Sequence, residues 1–163
     1  EDVWACHRAI RPDTPTVNGH MGVKLRRPAL SHFDPDTYVD ELSSVVFLIM
    51  IEKDIAVRNI DDILVAAKEA GVDMTQWGPA DFGFSRGQPG MMNTPEITPL
   101  EELVIAKSIE HGVPPRIEIN EAEEAKRFID LGVRHFCIGW DRSIYKATLT
   151  TVGEGLRTLI EPI

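Results

Sequence analysis

The chain has 163 residues, 43% of them hydrophobic, and a formal charge of −9. That size and apolar content describe one folded domain and exclude a disordered chain. The acidic balance and scattered basic residues argue against nucleic acid and anionic membrane, and no apolar run approaches the ~18–20 residues of a membrane span.

Glu1 is not a methionine and no signal-peptide pattern follows it, so the chain reads as a fragment or as one whose front end is missing. The segment to Ile10 has helical spacing, with Val3, Cys6 and Ile10 on one face and Pro12 as the stop. Asp13 to Pro35 is rich in Pro and Gly and carries Lys24, Arg26 and Arg27; so long a loop is often functional. Asp36 to Ser44 can form a short helix. The apolar run from Val45 to Ile51 has the continuous character of a strand covered on both faces. Asn59 can cap a helix to about Ala70, stopped by Gly71. Residues 72–78 predict a second strand, followed by a Gly-rich loop. Thr94 to Glu110 reads as a helix ended by Gly112, and Pro115 to Asn120 as a third strand. Glu121 to Leu131 predicts a helix, His135 to Trp140 a fourth strand, and Arg142 to Leu159 a last helix weakened at Gly153 and Gly155.

Four successive βα units imply a parallel sheet with right-handed crossovers. They make half of a (β/α)8 barrel, or an open doubly wound sheet. The chain is read as a single domain over 1–163, with a helix and long loop over 1–44 and the four units over 45–163. Chemistry then gathers at the carboxyl ends of the strands. There stand Glu52, Asp81, Glu118 with Asn120, and Trp140 with Asp141. Acids gathered without matching bases repel one another, and a hard cation such as Mg²⁺ or Mn²⁺ would relieve them.

Plainer roles compete. Asp141 is read as a helix cap in preference to a ligand. Glu118 lies between Ile117 and Ile119, so it would point into the barrel and need either Arg116 or a ligand; both stay open. His7, His20, His32, His111 and His135 form no ligand spacing, and His111 before Gly112 suits a helix C-terminus. There is no GxSxG, no P-loop and no GxGxxG after a strand. Cys6 and Cys137 read as isolated, reduced, buried thiols of a cytosolic protein.

Trp77 to Gly90, "WGPADFGFSRGQPG", holds four glycines, two prolines and one acid, Asp81. With "LIMIEKDIAVRNIDDIL" around Glu52, "INEAEEAKRFIDLG" and "HFCIGWD", it resembles the HpcH/HpaI aldolase/citrate lyase family of metal-dependent pyruvate aldolases. The likeness extends over most of Val45 to Tyr145. It implies a (β/α)8 TIM barrel, of which about the C-terminal half is present. It implies a divalent metal (Mg²⁺ or Mn²⁺, with Co²⁺ as a third choice) held by Glu52 and Asp81. Gly78, Pro79, Ala80 and Asp81 would bind the pyruvate carboxylate through backbone N–H groups, with Glu118 nearby. The implied reaction is aldol cleavage or condensation of a 4-hydroxy-2-oxoacid, giving pyruvate and an aldehyde through a metal-stabilised enolate. A cytoplasmic homo-oligomer joined through the last helix is also implied.

Two departures stand out. Met50 occupies the place where the family usually has a glutamine, and a thioether cannot replace an amide. The family's acid–base histidine and its arginine are expected upstream of this chain, and neither role is assigned to His7 or Arg8. Two rival readings follow: a non-catalytic barrel fragment serving assembly or binding, and a citrate-lyase-like acyl-CoA lyase using Lys24, Arg26 and Arg27 for a CoA phosphate.

Overall fold

Four parallel strands lie side by side in the order in which the chain makes them: β1 (Leu48–Ile51), β2 (Met74–Trp77), β3 (Pro115–Ile119) and β4 (His135–Ile138). The computed structural model describes residues 1–22 and 34–160. The basic residues Lys24, Arg26 and Arg27, and with them the CoA-phosphate reading, lie outside the described residues, as does His32.

Sequential order separates the two architectures left open by the pattern. A doubly wound sheet reverses its order at a switch point, whereas right-handed crossovers between successive neighbours keep their helices on one face. Burial follows that rule. Ile51, Thr75, Trp77, Ile117 and Ile119 point into the helix layer and are buried. Met50, Glu118 and His135, which alternate with that set, are exposed on the other face. The sheet is therefore a segment of a barrel wall with its inner face open.

Each βα unit has the apolar face its helix needs. In α4 (Ile60–Glu69), Ile60, Leu64 and Ala67 are buried at helical spacing. They meet Ile51, Trp77 and Phe82 in the larger core cluster. Val104 and Ile105 of α6 (Ile97–Glu110) divide between that cluster and a second one, where Ile105 meets Ile117, Ile119, Phe128 and Val133. Thr75 and Ser108 are polar residues inside this layer; Thr75 Oγ1 donates to Ser108 Oγ at 2.8 Å, so neither hydroxyl is orphaned. Gly71 and Gly112 stop α4 and α6 with φ of 67° and 70°.

At the front, α1 (Asp2–Ile10) and α2 (Pro35–Ser43) are joined by one buried cation. Arg11 donates through Nη1 to the carbonyls of Leu42, Ser43 and Val45, taking up orphan acceptors at the end of α2. His7 donates through Nδ1 to the carbonyl of Ala70 at 2.8 Å, a fold contact.

Several boundaries differ from the sequence reading, each for a tertiary reason. The first strand covers only Leu48–Ile51, where β2 offers a partner; Val45 and Val46 precede it and are exposed. A short helix α3 (Asp54–Arg58) precedes α4. Asn59 donates its amide back to the Ile55 carbonyl, and its side chain does not cap α4. The stretch after β2 begins as helix α5 (Pro79–Ser85), because Pro at N1 suits a helix start. The region after β3 divides into a 3-10 turn (Ala122–Glu124) with a Glu121–Glu124 capping box and α7 (Ala125–Asp130). The last helix, α8 (Asp141–Ile160), runs unbroken through Gly153 and Gly155. Cys6 is exposed rather than buried, and both cysteines are free thiols.

Candidate functional site

The parallel register extends naturally past the strand ends. Met50 pairs with Gln76 and Ile51 with Trp77, so Glu52 comes level with Gly78. Glu118 is level with Cys137 on β4. These positions form the layer at the carboxyl mouth of the sheet, the place where barrel folds put their chemistry.

Gly78 lies hard against Glu52. A Cβ at Gly78 would stand 2.6 Å from Glu52 Cβ, 2.9 Å from its Oε2 and 3.2 Å from Met50 Cε. The backbone of Gly78 is in an ordinary region, with φ of −115°, so space is what the glycine supplies. Pro79 then starts α5 and has no N–H to satisfy. The N–H groups of Ala80 and Asp81 belong to the first turn and have no backbone acceptor behind them. Asp81 leads this turn as its one acid and is exposed.

The loops bearing the two acids are tied together. The Asp54 N–H, two residues beyond Glu52, donates to Ser85 Oγ at 2.9 Å. Ser85 Oγ in turn donates to the Phe82 carbonyl at 2.7 Å. Arg86 reaches Asp54 at 3.4 Å, and Arg58 also pairs with Asp54. One hydroxyl thus joins the loop after β1 to the end of α5, and the charges around Asp54 hold that junction.

Gly78, Pro79, Ala80, Asp81 and Glu118 line one cavity of about 330 Å³, which Met50, Asn120 and Trp140 also border. Glu52 is half-buried and faces a neighbouring groove of about 610 Å³ along β1, touching the first cavity through Gly78. Arg116 does not neutralise Glu118 as one of the sequence alternatives had it. Its Nη1 donates to Gln76 Oε1 on the adjoining strand, leaving Glu118 exposed and without a protein partner among the described residues. Asp141 is the first residue of α8 rather than its cap: its Oδ1 accepts only the next N–H, of Arg142, at 2.6 Å, and the Trp140 carbonyl accepts the first helical N–H groups. His111 ends α6 and bonds Asp61 at 2.9 Å. The Asp61 carboxyl is held below its ordinary range, by the His111 hydrogen bond first and then by that of Lys107.

A divalent cation can be tested against this donor set. Among the described residues, the Glu52 and Asp81 carboxylates make no hydrogen bond or ion pair with protein, so their oxygens are free to take a hard cation. No group of three or more His, Cys, Asp or Glu side chains converges among those residues. Two carboxylates could make only part of a coordination shell, with water and substrate oxygens completing it as Mg²⁺ prefers; here Glu52 borders the groove along β1 and Asp81 the neighbouring cavity. Sequence reasoning missed the Ser85 junction and the Arg116–Gln76 bond. The serine was visible in the Gly-rich stretch, but nothing local marks the donor it accepts from, the Asp54 N–H 31 residues away.

No protein-family model matches the chain. It is 27% identical over 141 residues to the 5-keto-4-deoxy-D-glucarate aldolase of Salmonella arizonae, covering 86% of this chain and 54% of the relative. A solved HpcH/HpaI aldolase/citrate lyase family protein from Burkholderia cenocepacia superposes with a TM-score of 0.74 at 22% identity, covering 96% of this chain and 60% of the other. An HpcH/HpaI aldolase from Desulfitobacterium hafniense superposes with a TM-score of 0.61 at 24% identity, over 89% of this chain and 54% of that one. The chain spans about half the length of the curated relatives it matches. The resemblance drawn from Glu52 and the GPAD stretch is thus met both by relatives named aldolases and by the fold of the solved structures.

Proposed function

We propose that this chain supplies the cation-holding part of an aldolase that cleaves or forms a 4-hydroxy-2-oxoacid, with pyruvate and an aldehyde as the partners. The observation that carries the reading is the contact of Gly78 with Glu52, which leaves room for no side chain at the turn leading to Asp81. Relatives named aldolases support it from the side of sequence.

In this reading Glu52 and Asp81 hold the divalent ion, Mg²⁺ or Mn²⁺ before Co²⁺. The bound cation supplies Lewis-acid polarisation of a carbonyl oxygen. The chain's own residues do the positioning. The Ala80 and Asp81 N–H groups take a carboxylate, with the positive end of the helix turn behind them. Pro79 and Gly78 set the turn, and Glu118 lines the same cavity from the adjoining strand. Trp140 borders the same cavity. The exposed apolar residues of α8, among them Ile144, Leu149, Val152 and Leu156, support a homo-oligomeric assembly. A small oxoacid substrate and two free thiols suit a cytoplasmic setting, with no nucleic acid or membrane partner; no helix among the described residues could cross a membrane.

The test is a Mn²⁺ titration by calorimetry of the protein and of Glu52→Gln and Asp81→Asn, together with deuterium exchange into the pyruvate methyl group followed by NMR. Each substitution is expected to weaken Mn²⁺ binding by about a hundredfold or more, since each removes a charged ligand. Unchanged affinity in either variant removes that residue from the site. Exchange that needs the metal supports the aldolase reading, and unchanged Mn²⁺ affinity in both variants counts against it.

A further inference from the structure

The last helix, α8, runs for 20 residues and buries none of them. Tyr145, Leu149, Val152 and Leu156 recur along it at helical spacing and are all exposed. A helix gains most of its stability by packing such a face, and among the described residues nothing covers this one.

The fold shows what kind of neighbour α8 needs. Each crossover helix between two strands lies over its own strand and the next. α4 shares a core cluster with Ile51 of β1 and Trp77 of β2. Val104 of α6 meets Trp77, and Ile105 meets Ile117 of β3. Phe128 of α7 meets Ile117 together with Phe136 of β4. α8 follows β4, and among the described residues no strand lies beyond β4. The opposite edge is open too, since β1 pairs only with β2. Unpaired backbone at a sheet edge is a template for another strand.

Beside β1 runs the groove of about 610 Å³, with Phe47, Ile49, Ile55 and Ile63 in its apolar wall. Its charged residues are Glu1, Asp2, Glu52 and Asp62 against Lys53 alone. α8 has the opposite balance, Arg142, Lys146 and Arg157 against Asp141 and Glu154. The helix without a strand to cover thus complements, in charge and in apolar character, the edge without a neighbour.

Register can be carried across such a junction. Met50, Gln76, Arg116 and His135 form one row over the four strands. The row crosses β1 near its end and β4 at its first residue, so successive strands begin later along it. A closed eight-stranded barrel steps its register by about eight residues in one circuit, and so by about four over half of one. That step brings His135 level with Val46 of a second copy, and Ile138 level with its Ile49. Val46 and Ile138 are 64% and 73% exposed in the single chain, apolar residues of strand character that pairing would cover.

We infer that two copies of this chain join about a two-fold axis, β4 of each pairing in parallel with β1 of the other, so that eight strands close into a barrel and each α8 seats in the β1 groove of the other copy. The inference rests on the homo-oligomeric reading of α8 and is independent of the oxoacid chemistry.

Sedimentation velocity on the intact chain tests it, and a dimer is expected. Val46→Asp and Leu149→Glu change positions exposed in the single chain, so each variant should keep its circular dichroism spectrum. Each is expected to weaken the dimer by about a hundredfold or more, since each buries a charge at the junction. A disulfide tests the register. Val46→Cys with His135→Cys, in a Cys6→Ser and Cys137→Ser background, should cross-link two copies on mild oxidation; within one copy these positions lie at opposite edges of the sheet. A monomer in sedimentation removes the homo-oligomeric reading and this inference with it. A dimer that survives Val46→Asp, or that forms no cross-link between the introduced thiols, overturns the closed barrel and leaves the homo-oligomeric reading standing.

Discussion

Ser85 accepts the backbone N–H of Asp54 at 2.9 Å across 31 residues of sequence, and this bond ties the Glu52 loop to the helix that begins beside Asp81. The same hydroxyl is fixed by its own donation to Phe82. Because its acceptor lone pair serves a main-chain donor, removing it frees the loop without altering either acid. Ser85→Ala is expected to weaken Mn²⁺ binding about three- to tenfold, the worth of one hydrogen bond, with the thermal midpoint lowered only slightly. Ser85→Thr, which keeps the hydroxyl, should restore most of the affinity. Calorimetry on both variants checks this. Wild-type affinity in Ser85→Ala would mean that the junction does not position the acids.

Gly78 invites a harsher test. A methyl group there meets Glu52 Cβ at 2.6 Å, a distance that side-chain rotation cannot relieve because the Cβ is fixed to the backbone. Gly78→Ala is expected to push the two loops apart, costing about 1–3 kcal/mol of stability and at least about tenfold in Mn²⁺ affinity. Thermal unfolding with and without Mn²⁺ separates the two effects. The stabilisation by metal should shrink in the variant, and an undiminished metal-induced shift would show that the close approach serves packing alone.

The bond between Thr75 and Ser108 joins β2 to α6 in a layer where both residues are fully buried. Thr75→Val conserves shape and strands the Ser108 hydroxyl, with an expected loss of about 1–3 kcal/mol in urea unfolding. The double variant Thr75→Val with Ser108→Ala leaves no orphan and should recover part of that loss. Additive losses in the double variant would contradict a coupled pair.

How far these features could be read in advance depends on the range over which each is encoded. The alternation of Ile with Arg116 and Glu118 in β3, the helical spacing of Ile60, Leu64 and Ala67, and the glycines at 71 and 112 are local signals. They act through pleat, helix period and the left-handed backbone, which a few neighbouring residues determine. They were enough for the four βα units and for the acids at the strand ends.

Strand order, and with it the choice of a barrel wall over a doubly wound sheet, was decided in three dimensions, because both architectures use the same βα units. The same holds for the start of β1: Val45 and Val46 are as apolar as the residues that follow, yet pairing begins only at Leu48, opposite Met74. It holds most for the site. Glu52 and Asp81 were legible as acids after strands. That Gly78 is the space Glu52 needs, that Ser85 binds Asp54 and that Arg116 turns to Gln76 rather than Glu118 are contacts across 26, 31 and 40 residues. No local period encodes such contacts; they exist only once parallel register has brought separate βα units level with one another.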